Sequence, residues 1–156
     1  KDVAALKATP NLVDWAAARQ SFSWDEQWKG IDRPGGMLNK AYECVDRHAN
    51  GARANKTAII WQSASGDVER YSYLDFKKQT NKAANALRAL GIKKGERVFI
   101  LADRIPELYF AVFGTLKIGA ITAPLFSAFG PEPIRERVSR AEGCTIANVQ
   151  LERTTG

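Results

Sequence analysis

The run Leu90-Gly91-Ile92-Lys93-Lys94-Gly95-Glu96-Arg97-Val98-Phe99-Ile100 constrains the fold of this chain more than any other segment. Leu90 closes an apolar stripe of Phe76, Thr80, Ala83 and Leu87, spaced at steps of three and four, as one face of a helix requires. Gly91 supplies the left-handed stop of a helix. From residue 97 to 102 the chain is then almost continuously apolar, the pattern of a strand buried on both faces. An amphipathic helix that turns on two glycines into a fully buried strand is one step of a layered α/β fold.

The same step repeats downstream. Pro106 opens a helix through Leu108, Val112 and Leu116 that is apolar nearly all round, as in a helix sandwiched between layers. Residues 121–125 read as a second buried strand, residues 126–130 as a loop, and Pro131 as the start of a helix striped by Ile134, Val138 and Ala141. Gly143 ends that helix and residues 144–149 form a last strand. Short connections between buried strands require right-handed crossovers. The expected fold is α/β: an open, mostly parallel sheet with helices on both faces.

Upstream, Asn39 caps a helix striped by Leu38, Ala41, Tyr42 and Val45. Residues 57–62 and 69–73 form a hairpin across a turn centred on Gly66. Ser72, with Asp75 three residues on, marks the next helix start. Residues 1–36 are an N-terminal arm: Asn11 is expected to cap a short helix with Leu12, Trp15 and Ala16, and Phe22, Trp24 and Trp28 serve as anchors. The remainder, residues 37–156, is the α/β body.

Composition narrows the function. At 156 residues, with 45% hydrophobic and 26% charged residues, the chain buries roughly two thirds of its unfolded surface. The net charge of +6 is spread over Lys77, Lys78, Lys93, Lys94, Arg135, Arg137 and Arg140 rather than gathered on one aromatic-lined face. That argues against nucleic acid. No apolar stretch approaches membrane-spanning length, and a cytoplasmic location is expected. The two cysteines, Cys44 and Cys144, lack metal-ligand spacing and sit in segments that read as buried. His48, the single histidine, lies at a helix end beside Arg47, so neither a Ser–His triad nor a zinc site can be assembled.

One site follows from topology. The loop at residues 126–130 leaves a parallel strand at the carboxyl edge of the sheet, where open α/β folds bind ligands. Gly130 and Pro131 begin a helix there, with amides favourable to an anion. A plain connector has the same geometry, so the loop alone does not decide between them. Glu107, in the first turn after Pro106, is read as a helix-dipole partner rather than a catalytic acid.

In this order, the segments at residues 38–48, 71–76 and 91–100, with Pro106-Glu107-Leu108-Tyr109, Lys117-Ile118-Gly119-Ala120 and Pro124-Leu125-Phe126, resemble the opening of acyl-CoA synthetases of the adenylate-forming superfamily. Among these the chain is most similar to the acetate–CoA ligases. The resemblance implies an enzyme that joins a carboxylate to coenzyme A through an acyl-adenylate, using ATP and magnesium. It also implies a candidate coenzyme A contact at Phe126, Ser127 and Ala128, where many relatives have a Phe-Gly-Gly-Phe loop. Ser127 and Ala128 stand in place of the paired glycines. Arg137 matches a helix arginine of the relatives, and Arg153 falls near an arginine used for coenzyme A phosphates.

The Ser/Thr/Gly-rich phosphate loop ending in Pro-Lys-Gly, the ribose-binding Asp and the late catalytic Lys that such enzymes carry are absent from this sequence. The expectation is therefore an amino-terminal fragment, inactive alone, with no catalytic, ATP-binding or metal residues of its own. Two alternatives stay open: a free-standing module that binds coenzyme A or a nucleotide, and an interaction subunit that completes a partner chain or self-associates through an exposed docking face.

Overall fold

The computed structural model describes residues 10–31, 34–141 and 147–151. Two compact units divide the chain, Lys1–Asp32 and Arg33–Gly156.

The first unit carries two short helices, α1 (Trp15–Ser21) and α2 (Trp24–Lys29). Asp14, not Asn11, is the N-cap of α1: its carboxylate accepts from the Ala17 amide at 3.0 Å. Leu12 therefore lies outside the helix. Neither helix buries a residue, and Phe22 meets Trp24 edge to face at 5.0 Å.

The second unit begins with a helical segment over residues 40–49, containing a π turn at Tyr42–Asp46 and ending in α3 (Arg47–Ala49). Asn39 caps it as expected, its Oδ1 accepting from the amides of Ala41 and Tyr42. Strands β1 (Thr57–Gln62) and β2 (Val68–Ser72) pair antiparallel. Tyr73 is the first residue of α4 (Tyr73–Ala89) rather than the end of a strand, because the Ser72 cap turns the chain there. The Ser72 hydroxyl accepts from the Asp75 amide at 3.1 Å, and the Asp75 carboxylate accepts from the Ser72 hydroxyl at 2.6 Å and from the Ser72 amide at 3.2 Å.

These bonds hold the Asp75 carboxyl below its ordinary value of 3.8, the Ser72 hydroxyl contributing most. A depressed folded value means the cap stabilises above the ordinary carboxylate range and is lost as pH falls through the folded value. Ser72→Ala is expected to cost about 1 kcal/mol at neutral pH. The gap between wild type and Asp75→Asn in urea denaturation should close as the pH drops below 3.8.

Strand β3 (Arg97–Ala102) lies between β4 (Ile121–Leu125) and β5 (Ala147–Leu151), parallel to both. Helix α5 (Pro106–Lys117) connects β3 to β4, and α6 (Pro131–Ser139) connects β4 to β5. The core has two parts. Leu87, Ile92, Val98, Ile100, Ala102, Ala111 and Ala120 join α4 and α5 to the sheet. Val45, Phe76 and Phe110, with Ala58, Ile59 and Tyr71, join the same helices to the π turn and the hairpin. Helix α5 is thus covered on two sides, which is why its sequence is apolar nearly all round.

Both long helices end in the same motif. At the end of α4, the Gly91 amide donates to Arg88 O (2.9 Å) and the Ile92 amide to Leu87 O (3.1 Å), with Gly91 at φ 87°. At the end of α5, Gly119 donates to Leu116 O (3.1 Å) and Ala120 to Thr115 O (3.2 Å), with Gly119 at φ 74°. Each is a Schellman cap, and each puts its following residue into the core beside the last turn.

Three expectations change. Leu90 is 68% exposed and Ala84 is buried in its stead, so the buried arc of α4 is rotated from the stripe read in sequence. Cys44 is exposed; Cys144 lies outside the described residues. Strand β4 is at an edge, with Ile121 and Pro124 exposed. Pro124 has no amide to give a further strand, which suits it to that edge.

Candidate functional site

The sheet order places β3 and β4 side by side, while their onward connections run to different partners. The step from β3 to β4 goes one way across the sheet, and the step from β4 to β5 goes back over β3. Right-handed crossovers then put α5 and α6 on opposite faces. The loops leaving β3 and β4 diverge, and the gap between their carboxyl ends is where ligands of open α/β sheets sit. Asp103 and Arg104 border it on the β3 side, and residues 126–130 on the β4 side.

The β4 loop is a tight turn. The Phe129 amide donates to Phe126 O at 3.0 Å, leaving Ser127 and Ala128 as the two central, exposed residues. No described non-glycine residue has a positive φ, so this turn asks nothing of its central positions that serine and alanine cannot give. The glycine pair is not needed for its backbone.

Phe126 is 60% exposed and packs edge-on against Phe129, with centroids 5.6 Å apart. Arg137, two turns into α6, lays its guanidinium over the Phe129 ring at 4.2 Å and donates to Pro133 O at 3.1 Å. A cation over an exposed ring is worth about 0.5–1 kcal/mol. The structure therefore unites Phe126, Phe129 and Arg137 in one cluster, with Ser127 and Ala128 at its tip. Arg153 lies outside the described residues. Phe129, which the sequence reading left out of its candidates, is the link between loop and helix. No periodicity joins positions 129 and 137 across Gly130 and Pro131; an aromatic close in sequence to a lone helix arginine was the available signal.

On the β3 side the Trp61 indole N–H donates to Arg104 O at 2.7 Å, tying the hairpin to the loop. Elsewhere, an apolar groove of about 400 Å³ runs between α4 and α5, lined by Ala83, Ala86, Leu87, Leu90, Phe110 and Ala111. Among the described residues no three His, Cys, Asp or Glu side chains converge. No described helix is long and apolar enough to cross a membrane.

Residues 45–153 match the family model described as AMP-binding enzyme. This chain belongs to that family. The acetyl-coenzyme A synthetase of Bacillus subtilis is 45% identical over 148 residues, which is 94% of this chain and 26% of the relative. The 3-hydroxypropionyl-coenzyme A synthetase of Metallosphaera sedula is 38% identical over 142 residues, 85% of this chain and 22% of the relative. Among solved structures, the crystal structure of Brucella canis acyl-CoA synthetase superposes with a TM-score of 0.70 at 25% identity, covering 91% of this chain and 29% of that one. This AMP-binding family member spans about a quarter of the length of the curated relatives it matches.

Proposed function

We propose that this chain supplies the first α/β layer of an ATP-dependent acyl-CoA synthetase of the acetate type, and that residues 126–130 with Arg137 form its contact to coenzyme A. The observation that carries the acyl-CoA reading is the 45% identity, over nearly the whole chain, to an acetyl-coenzyme A synthetase. Carboxylate, ATP and coenzyme A are then the substrates of the whole enzyme, with magnesium beside the ATP, in the cytoplasm. Acyl transfer within it forms a thioester from the acyl-adenylate and releases AMP.

The part assigned to these residues is binding and orientation. The open face of Phe126 offers a stacking platform for adenine, worth about 1–3 kcal/mol per base. Arg137 is held over Phe129 with donors left for a phosphate, and a bidentate guanidinium suits that partner. Arg153 is assigned to the same phosphates.

The test replaces the matching stretch of the Bacillus subtilis enzyme with this chain. The chimera should keep acetate-dependent ATP–pyrophosphate exchange; a folded chimera without it contradicts the acetate reading. Within the chimera, Phe126→Ala should raise KM for coenzyme A about tenfold and leave KM for ATP unchanged. Equal changes in both constants would remove the loop from the coenzyme A site.

A further inference from the structure

A polar cavity of about 510 Å³ opens at the carboxyl ends of α4 and α5, lined by Asn39, Asp46, Asn81, Asn85, Arg88 and Lys117 among others. It lies at the amino edge of the sheet, the end opposite the 126–130 loop, because both helices run back from the carboxyl edge. Nothing in the proposed coenzyme A contact uses it.

Lys117 occupies two of its acceptors. The Lys117 ammonium donates to Asp46 Oδ1 and to Asn81 Oδ1, both at 2.6 Å, and the Lys117 side chain is only 10% exposed. Asn39 Nδ2 covers the carbonyls of Leu116 and Lys117 at 3.2 and 3.4 Å, the open end of α5. Its donors are in surplus. An ammonium has three protons and two are placed. Asn81 gives its oxygen to Lys117, which turns its amide group away from that bond. Asn85 and Arg88 follow Asn81 on the same face of α4, at steps of four and three, and no described residue accepts a hydrogen bond from either side chain.

The π turn points to the same place. Tyr42–Asp46 carries an extra residue per turn, a local irregularity that recurs at functional sites. Here its two ends, Tyr42 and Asp46, both line the cavity. The charge balance is one carboxylate against two cations.

We propose that this cavity binds a phosphate-bearing small anion, with Arg88, Asn85 and the third Lys117 proton as donors and Asp46 as the brace that fixes the ammonium. The phosphate could be free or carried by a nucleotide; the recognising chemistry is the same.

The test is calorimetric and NMR titration of the full chain with inorganic phosphate and, separately, with AMP at matched ionic strength. Saturable binding should shift the side-chain amides of Asn81 and Asn85 and the Arg88 Nε–H resonance. Arg88→Ala, an exposed change that leaves the fold intact, should weaken binding at least tenfold, and Asn85→Ala should weaken it less. Tighter binding of AMP than of phosphate would assign a nucleotide monophosphate, and equal binding the phosphate alone. No saturable binding of either, shifts located elsewhere, or binding unaltered in Arg88→Ala would overturn the proposal.

Discussion

Phe110→Ala should lower the free energy of unfolding by about 3–5 kcal/mol, the usual range for emptying a buried aromatic site. Phe110 is 8% exposed and sits where three elements meet. Its ring meets Tyr71 of β2 at 5.2 Å, nearly perpendicular, and Phe76 of α4 at 5.9 Å. Phe76 in turn meets Phe113 at 5.3 Å. Removing the ring leaves this group without its central member. The hole cannot close by a helix shift, because α5 is fixed on its other side against β3 through Ala111. Urea denaturation followed by circular dichroism measures it. A loss below about 1 kcal/mol would mean that the aromatic cluster does not hold the hairpin to the helices.

The second large effect is expected at Gly114. A β-carbon there would lie 2.6 Å from Ala83 Cβ, 3.0 Å from the Ala84 nitrogen and 3.1 Å from Thr80 O. Two of these neighbours are backbone, so no side-chain rotation relieves the clash. Helices α4 and α5 must separate, and the cores on either side of them open together. Overpacking of this kind costs about 1–3 kcal/mol, occasionally more. Gly114→Ala should fall at the upper end, despite the roughly 1 kcal/mol that alanine gains over glycine in a helix. Adding Ala83→Gly removes the nearest atom but leaves the Ala84 nitrogen at 3.0 Å. The double variant should therefore recover part of the loss and not all of it. Full additivity of the two changes would show that the helices do not touch at this point.

Features set by neighbouring residues were readable in the sequence. Ser72 with Asp75, Asn39 and Gly91 each act within one turn of chain, and their roles are as expected from spacing. The parallel order followed from the apolar runs and short connections. What escaped depends on partners distant in sequence. The buried arc of α4 answers to two cores, one through Leu87 and one through Phe76, which brings Ala84 inward and leaves Leu90 outside. The edge position of β4 was signalled by Pro124, whose missing amide suits a sheet margin. The π turn has no sequence signature, since Tyr42, Glu43, Cys44, Val45 and Asp46 read as ordinary helix. At the loop, the positions of Phe126, Ser127 and Ala128 in a turn and of Arg137 on the next helix were legible, but the stacking of Arg137 on Phe129 depends on how the turn enters α6.

The matched glycine endings of α4 and α5 carry an implication for tolerated sequence length. The Gly95 amide donates to Gly119 O at 3.0 Å and the Ile121 amide to Glu96 O at 2.8 Å, so the two helix-to-strand corners are stitched to each other. Stitching them starts β3 and β4 level, from Arg97 opposite Ile121 to Leu101 opposite Leu125. One residue inserted at position 93 or 94 would fall between the Gly91 cap and these two bonds, and would have to bulge out of the corner or break one of them. The length of that corner is therefore set by backbone bonds at both of its ends.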